Sequence, residues 1–227
     1  MNASLVVPSP IFASQPRSQK LRETAASALQ PVAPGAWYLP CDELGSEVVY
    51  DRAYFERYAA MSQTVMSTKL NAFRRSFVRR RWHGELDDVG IGCGAFINAL
   101  PPRKAFGYDI NPVGAEWLRQ RELYWDLYRS PANAATFWDS LEHIPVPKEV
   151  LDQVRFWAFV SIPIFDDLDH VLRSKHFRPN EHYWYVTEQG FKEFAEGAGF
   201  CAVETSTIET ALGRESIMSF ALRRRTR

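Results

Sequence analysis

The chain has 227 residues, 46% hydrophobic and 24% charged, the make-up of a soluble globular protein with room for one domain of roughly 150–200 residues plus extra segments. Lys+Arg and Asp+Glu both number 27, so the net charge is zero, which removes any whole-molecule attraction to duplex nucleic acid or an anionic membrane. Cys41, Cys93 and Cys201 lie far apart with no CxxC pair; this excludes a disulfide framework and a Cys-rich zinc module and implies a reducing, cytoplasmic compartment. No apolar run approaches the roughly 18 residues of a membrane span, and the proline-broken N-terminus lacks the basic start of a secretory signal. Aromatics reach 14%, with seven Trp, enough for a large aromatic core or an aromatic-lined pocket.

Residues 1–36, rich in Ser, Pro, Ala and Gln, read as a flexible arm with a weak helical stretch at 18–29. A helical cap is expected over 37–84. Asp51 caps its first helix, and a second helix over 67–81 carries an apolar stripe of Leu70, Phe73, Phe77 and Val78. Arg74, Arg75, Arg79, Arg80 and Arg81 fill the other face as solvated side chains. From residue 85 to 227 strands alternate with helices. Strands are predicted at 85–89, 105–108, 134–138, 156–162, 201–207 and 217–223, and helices at 95–100, 113–128, 148–153 and 187–198. This pattern predicts an α/β, doubly wound, mostly parallel sheet with a closing pair of C-terminal strands.

The sharpest local signal is Asp88-Val89-Gly90-Ile91-Gly92-Cys93-Gly94, where a strand meets a helix. Glycines there permit a tight turn and close approach of backbone to a ligand, and the helix behind them presents free N–H groups. Cys93 serves as a small spacer in the turn. Asp109, in GYDINP, ends the next strand, where a carboxylate can accept both hydroxyls of a ribose. The spacing is GxGxG rather than the GxGxxG of the NAD fingerprint, and Asp109 comes early for that fingerprint. An NAD(P)-dependent oxidoreductase is therefore the weaker reading of this turn.

DVGIGCGAF followed by GYDINP resembles the first two motifs of class I S-adenosylmethionine (SAM)-dependent methyltransferases. ATFWDSLEHI (135–144), FVSIPIF (159–165) and HYWYVTEQGFKEFAEGAGF (182–200) resemble three later motifs of that family, in order. The stretch SKHFRPNEHYWYVT (174–187) is similar to one in small methyltransferases of phage-type genomes. The resemblance implies a Rossmann-like methyltransferase fold with an antiparallel C-terminal strand, and SAM as cofactor. Only about 25 residues separate Asp109 from Thr136, so the family's third strand is expected to be shortened.

The resemblance further implies individual roles. Asp88, Gly90, Gly92 and Gly94 shape the methionine end of the cofactor site. Asp109 holds the ribose, Ile110 packs on adenine, and Asp139, Ser140 and Leu141 lie near the methyl group. Tyr50, Tyr54, Phe55 and Tyr58 fall on a helix that closes over the cofactor, where aromatic faces suit a sulfonium cation. His143, His182 and Glu142 are the candidate general bases, needed only if the acceptor must lose a proton. The segment 166–182 contains Asp166, Asp167, Asp169, His170, His176, Glu181 and His182 but no HExxH or tight HxH spacing. It reads as an acceptor-facing loop in which Lys175, His176 and Arg178 meet an anionic group, with no metal expected. A small-molecule or protein acceptor is favoured over nucleic acid. A non-catalytic SAM-fold module for binding or assembly is the second reading, because a fold does not guarantee chemistry.

Overall fold

The computed structural model describes residues 16–44 and 50–225. The first 15 residues of the expected arm and the last two of the Arg-rich C-terminus lie outside the described residues. Helix α1 (Pro16–Ala28) leads into strands β1 (Gln30–Ala33) and β2 (Ala36–Tyr38), followed by helices α2 (Arg52–Ser62) and α3 (Val65–Arg79). The chain then alternates through β3 (Leu86–Val89), α4 (Ala95–Asn98), β4 (Ala105–Tyr108), α5 (Pro112–Arg119), β5 (Ala132–Trp138), α6 (Pro147–Asp152) and β6 (Val154–Pro163). It closes with α7 (Leu168–Arg173), β7 (Trp184–Val186), α8 (Glu188–Gly197), β8 (Phe200–Ser206), α9 (Ile208–Ala211) and β9 (Ile217–Arg224). No helix among the described residues is long and apolar enough to cross a membrane.

Six strands form one sheet in the order β4-β3-β5-β6-β9-β8. Strands β3 to β6 run parallel, and β9 is antiparallel to both β6 and β8. The Rossmann-like α/β fold with an antiparallel C-terminal strand is therefore present. Both faces are covered, as a parallel sheet requires. Phe137, Val160, Phe191 and Phe220 pack on one face, and Phe77, Ile97, Leu118 and Phe159 on the other. The third strand of the family is reduced to one parallel bridge between Tyr124 and Gly107.

Helix α5 stops at Arg119, well short of the predicted end at 128. Glu122 turns left-handed with φ +56°, and the Leu123 amide donates back to the Leu118 carbonyl at 2.9 Å. This is a Schellman-type cap built without glycine. The apolar spacing continues past it because Tyr124, at a single bridge, and Leu127, in the following turn, both pack into the core.

Strands β1, β2 and β7 form a separate antiparallel sheet. Part of the segment read as an arm thus carries helix and strand, despite its low hydrophobicity. Arg22 donates to the Phe177 and Leu172 carbonyls at 2.9 Å each, and Ala25 is fully buried beside Leu39, Phe177 and Tyr185. The Leu39 amide donates to the Tyr183 carbonyl at 2.8 Å, and the Cys41 thiol donates to the His182 carbonyl at 3.0 Å. Residues 16–44 therefore brace the connection between α7 and β7.

Asp87 on β3 is 1% exposed, and neither of its carboxylate oxygens has a hydrogen-bond partner. Burial, and then the neighbouring Asp88 carboxyl, raise its pKa well above 3.8. A raised carboxyl pKa means the folded state holds a proton that the unfolded state releases. Stability is then greatest below the unfolded value of 3.8 and declines as pH rises toward the folded value. Asp87→Val should flatten that decline and stabilise the protein at neutral pH by about 1–3 kcal/mol, the cost of an orphaned buried polar group. Urea unfolding across the acid-to-neutral range measures this; a parallel pair of profiles for the two proteins would contradict it.

Candidate functional site

The carboxyl ends of β3, β4 and β5 converge, the place where open α/β sheets bind ligands. Asp88 is buried and accepts a hydrogen bond from Thr136 Oγ1 at 2.6 Å. Burial raises its pKa to about 7, against the opposing pull of Thr136 and Arg74. The chain then bends through Gly90, Gly92 and Gly94, with φ of +79°, +59° and +76°. A side chain at Gly90 would put its Cβ 2.6 Å from Ser140 Cβ, so this left-handed position has no room for one. At Gly92 the same test meets only the Tyr58 ring, at 3.7 Å.

Asp109 stands against this bend. Its Oδ2 accepts from the Gly92 amide at 3.0 Å and its Oδ1 from the Asn111 amide at 2.7 Å. Burial pushes its pKa up to about 6, while these two N–H groups oppose the rise. Each oxygen keeps a further lone pair. Ile110, the next residue, is 71% exposed at the strand end. Asn111 joins this end to the helical cap: its Nδ2 donates to the Asp51 carbonyl at 3.0 Å. Asp51 in turn caps α2 by accepting from the Tyr54 amide at 2.9 Å, as expected. Helix α2 carries Tyr54 and Tyr58, whose hydroxyls lie 3.3 Å apart, with Arg57 stacked over both rings.

Beyond β5 the backbone turns left-handed at Asp139, φ +55°. Its side chain pairs with Arg74 at 3.0 Å and Arg214 at 2.8 Å. Burial works against its charge, but the two arginines prevail and hold the carboxyl at about 2. Arg74 also grips Glu209 with Nε at 2.8 Å and Nη2 at 2.9 Å, a bidentate contact. Glu209 is fully buried and accepts further from Ser161 Oγ at 2.7 Å and from Arg214. Arg74 therefore does not belong to the solvated face expected for its helix; it is 7% exposed. Ser140 Oγ donates to the Val89 carbonyl at 2.6 Å, and Leu141 is buried in the core.

Glu142, His143 and His182 come together at the far side of this turn, each offering a donor atom within 4.8 Å of the others. The two imidazole rings meet edge to face at 4.6 Å. Tyr50 Oη lies 3.4 Å from His143 Nδ1. Burial lowers the pKa of His143 to about 4, and burial, then the neighbouring His143, lower that of His182 well below the usual imidazole value. Burial, then the Asp139 carboxylate, raise that of Glu142. Glu142 and His182 are 1% and 3% exposed, whereas His143 is half-buried.

A methyltransferase-domain family model matches residues 52–205, more than half of the chain. The chain belongs to the methyltransferase-domain family. This membership selects methyl transfer over the oxidoreductase and non-catalytic readings. No curated protein matches the sequence. Among solved structures, magnesium protoporphyrin IX methyltransferase from Synechocystis, with bound S-adenosylhomocysteine, is similar at a TM-score of 0.56 and 13% identity, over 78% of this chain and 96% of that one. An Archaeoglobus fulgidus SAM-dependent methyltransferase gives 0.52 and 12%, over 75% and 100%. The 1,6-didemethyltoxoflavin-N1-methyltransferase of Burkholderia thailandensis gives 0.50 and 12%, over 77% and 84%. At these identities the likeness is one of fold.

In this methyltransferase the structure gathers the predicted residues into two groups. Asp88, the three glycines, Asp109, Ile110 and Tyr58 surround the bend. Glu142, His143 and His182 form the second group, with Ser140 and Leu141 linking the two through the turn. The Asp139 side chain is directed to two arginines. Sequence reasoning missed Glu209 and Arg214, which sit in no recognisable motif, and Thr136, which is hidden in an apolar strand. His182, expected both in the 166–182 segment and with His143 and Glu142 as a candidate base, meets those two residues from about forty positions downstream.

Proposed function

We propose that this methyltransferase binds SAM along the glycine bend and passes its methyl group to an acceptor beside Glu142, His143 and His182. The observation that carries the reading is the Asp109 carboxylate fixed against the bend by the Gly92 amide. A buried carboxylate with a further lone pair on each oxygen suits a pair of ribose hydroxyls. Ile110, exposed beside it, offers an apolar platform for a flat base, and the Tyr58 ring stands over the bend, 3.7 Å from where a side chain at Gly92 would begin. When bound, SAM supplies a methyl group on a positively charged sulfur. The chain's own part is to orient the two reactants and exclude water. Tyr58 and Tyr54 provide aromatic faces on the cap side. The Asp139–Leu141 turn, with Ser140 tied to Val89, sets the wall between cofactor and acceptor. Burial keeps His143 uncharged at neutral pH, with the Tyr50 hydroxyl 3.4 Å from its Nδ1.

A small molecule or a protein side chain is the favoured acceptor, in keeping with the zero net charge. Three free thiols suit a cytoplasmic setting. Calorimetric titration with SAM and with S-adenosylhomocysteine tests the reading; binding of neither at up to millimolar concentration would sink it. Affinity should also fall as the pH drops through about 6, because Asp109 then takes up a proton and loses half of its acceptor capacity. A flat profile across that range would remove Asp109 from the ribose role.

A further inference from the structure

Two donor atoms in the Glu142–His143–His182 cluster have no partner. Glu142 Oε2 and His182 Nδ1 are both buried and make no hydrogen bond. Buried polar atoms are nearly always paired, so two orphans in one cluster call for a common explanation. The other ring nitrogen of His182 donates to the His176 backbone. A hydrogen bond of that kind fixes the tautomer of metal-binding histidines and leaves the opposite lone pair free.

We infer that Glu142, His143 and His182 form a binding site for one divalent transition-metal cation. Two imidazoles and one carboxylate are a donor set used by three-ligand zinc centres that keep a fourth position open. Imidazole favours Zn²⁺, Fe²⁺ or Co²⁺, whereas Mg²⁺ and Ca²⁺ prefer oxygen shells. Bonds of about 2.1 Å in a tetrahedron set donors about 3.4 Å apart, so donors within 4.8 Å reach it by closing through at most about 1.4 Å. His143 is the least buried of the three, so the open position lies on its side of the cluster. Its link to catalysis rests on the proposed methyl transfer: a cation there would take the acceptor's oxygen or nitrogen as a fourth ligand, making the acceptor class a hydroxyl or amine compound able to bind metal. Cation binding itself stands apart from that reading.

The test uses the full-length protein after treatment with a chelator. Zn²⁺ is titrated by calorimetry and Co²⁺ by visible absorption, with a SAM titration in parallel. One equivalent of Zn²⁺ should bind at micromolar levels or tighter, and Co²⁺ should give the visible band of a four- or five-coordinate ion. Glu142→Gln and His143→Ala should each weaken Zn²⁺ by at least the roughly 10–100-fold that loss of an outer-shell partner costs, with SAM affinity unchanged. His170→Asn, at a surface pair with Asp166, should leave Zn²⁺ affinity intact. His143→Ala lies at the least buried position and guards against a folding defect in the Glu142 variant. Absent binding, wild-type affinity in both cluster variants, or binding that follows His170 would each overturn the inference. Loss of SAM binding with Zn²⁺ binding intact would count against the cofactor reading alone.

Discussion

Glu209→Ala should cost about 3–5 kcal/mol of folding stability, the range for breaking a buried ion pair on one side. Glu209 is fully buried between Arg74 and Arg214 and also accepts from Ser161. Its removal strands two guanidinium groups in a site that water does not reach freely, with Asp139 left as the only carboxylate they share. A small domain has only about 5–15 kcal/mol in total, so the variant should sit near the threshold of unfolding at physiological temperature. Because Arg74 and Glu209 are buried, added salt should do little to the difference, unlike for an exposed pair. Urea unfolding at low and high ionic strength measures both points. A loss below about 1 kcal/mol, the ordinary value of an exposed pair, would show that the network is solvated. An apolar replacement of Arg74 together with Glu209 should recover much of the loss, since such pairs often contribute little beyond their own desolvation.

Asp109→Ala should weaken SAM by about 2–4 kcal/mol, roughly 30- to 1,000-fold, from the loss of charge-assisted hydrogen bonds to two hydroxyls. The same change also frees the Gly92 and Asn111 amides, so it should loosen the bend as well as remove an acceptor. Asp109→Asn separates the two effects. Its size is retained, but its amide group must face one of the two N–H donors, so it should bind SAM weakly while staying folded. Calorimetry with far-UV circular dichroism on both variants decides the matter; wild-type affinity in either would remove the carboxylate from the site.

The parts of this molecule that were legible from sequence are those governed by local chemistry. The glycine bend, the Asp51 cap and the apolar run of β6 each depend on a few adjacent residues. What stayed hidden depends on distance or on backbone conformation. Arg74 meets Glu209 across 135 positions, and a run of arginines gives no sign of which one turns inward. The end of α5 lies at a left-handed Glu122, a conformation that sequence normally signals by glycine. The strands near the N-terminus form because β2 finds an edge at β7 and Arg22 finds three carbonyls, while their own composition argues for a loose tail. Glu142 and His182 form one cluster only because the Tyr183 amide donates to the Glu142 carbonyl at 2.9 Å, which draws two distant turns together.

The small sheet made by β1, β2 and β7 has a consequence for how such an enzyme diversifies. The pairing of β2 with β7 and the hydrogen bonds of Arg22 and Cys41 reach the stretch from Leu172 to Val186. On the proposed reading, in which the acceptor lies beside His182, residues 16–44 brace the acceptor side of the molecule. On that reading, drift in this segment would alter acceptor choice ahead of SAM affinity.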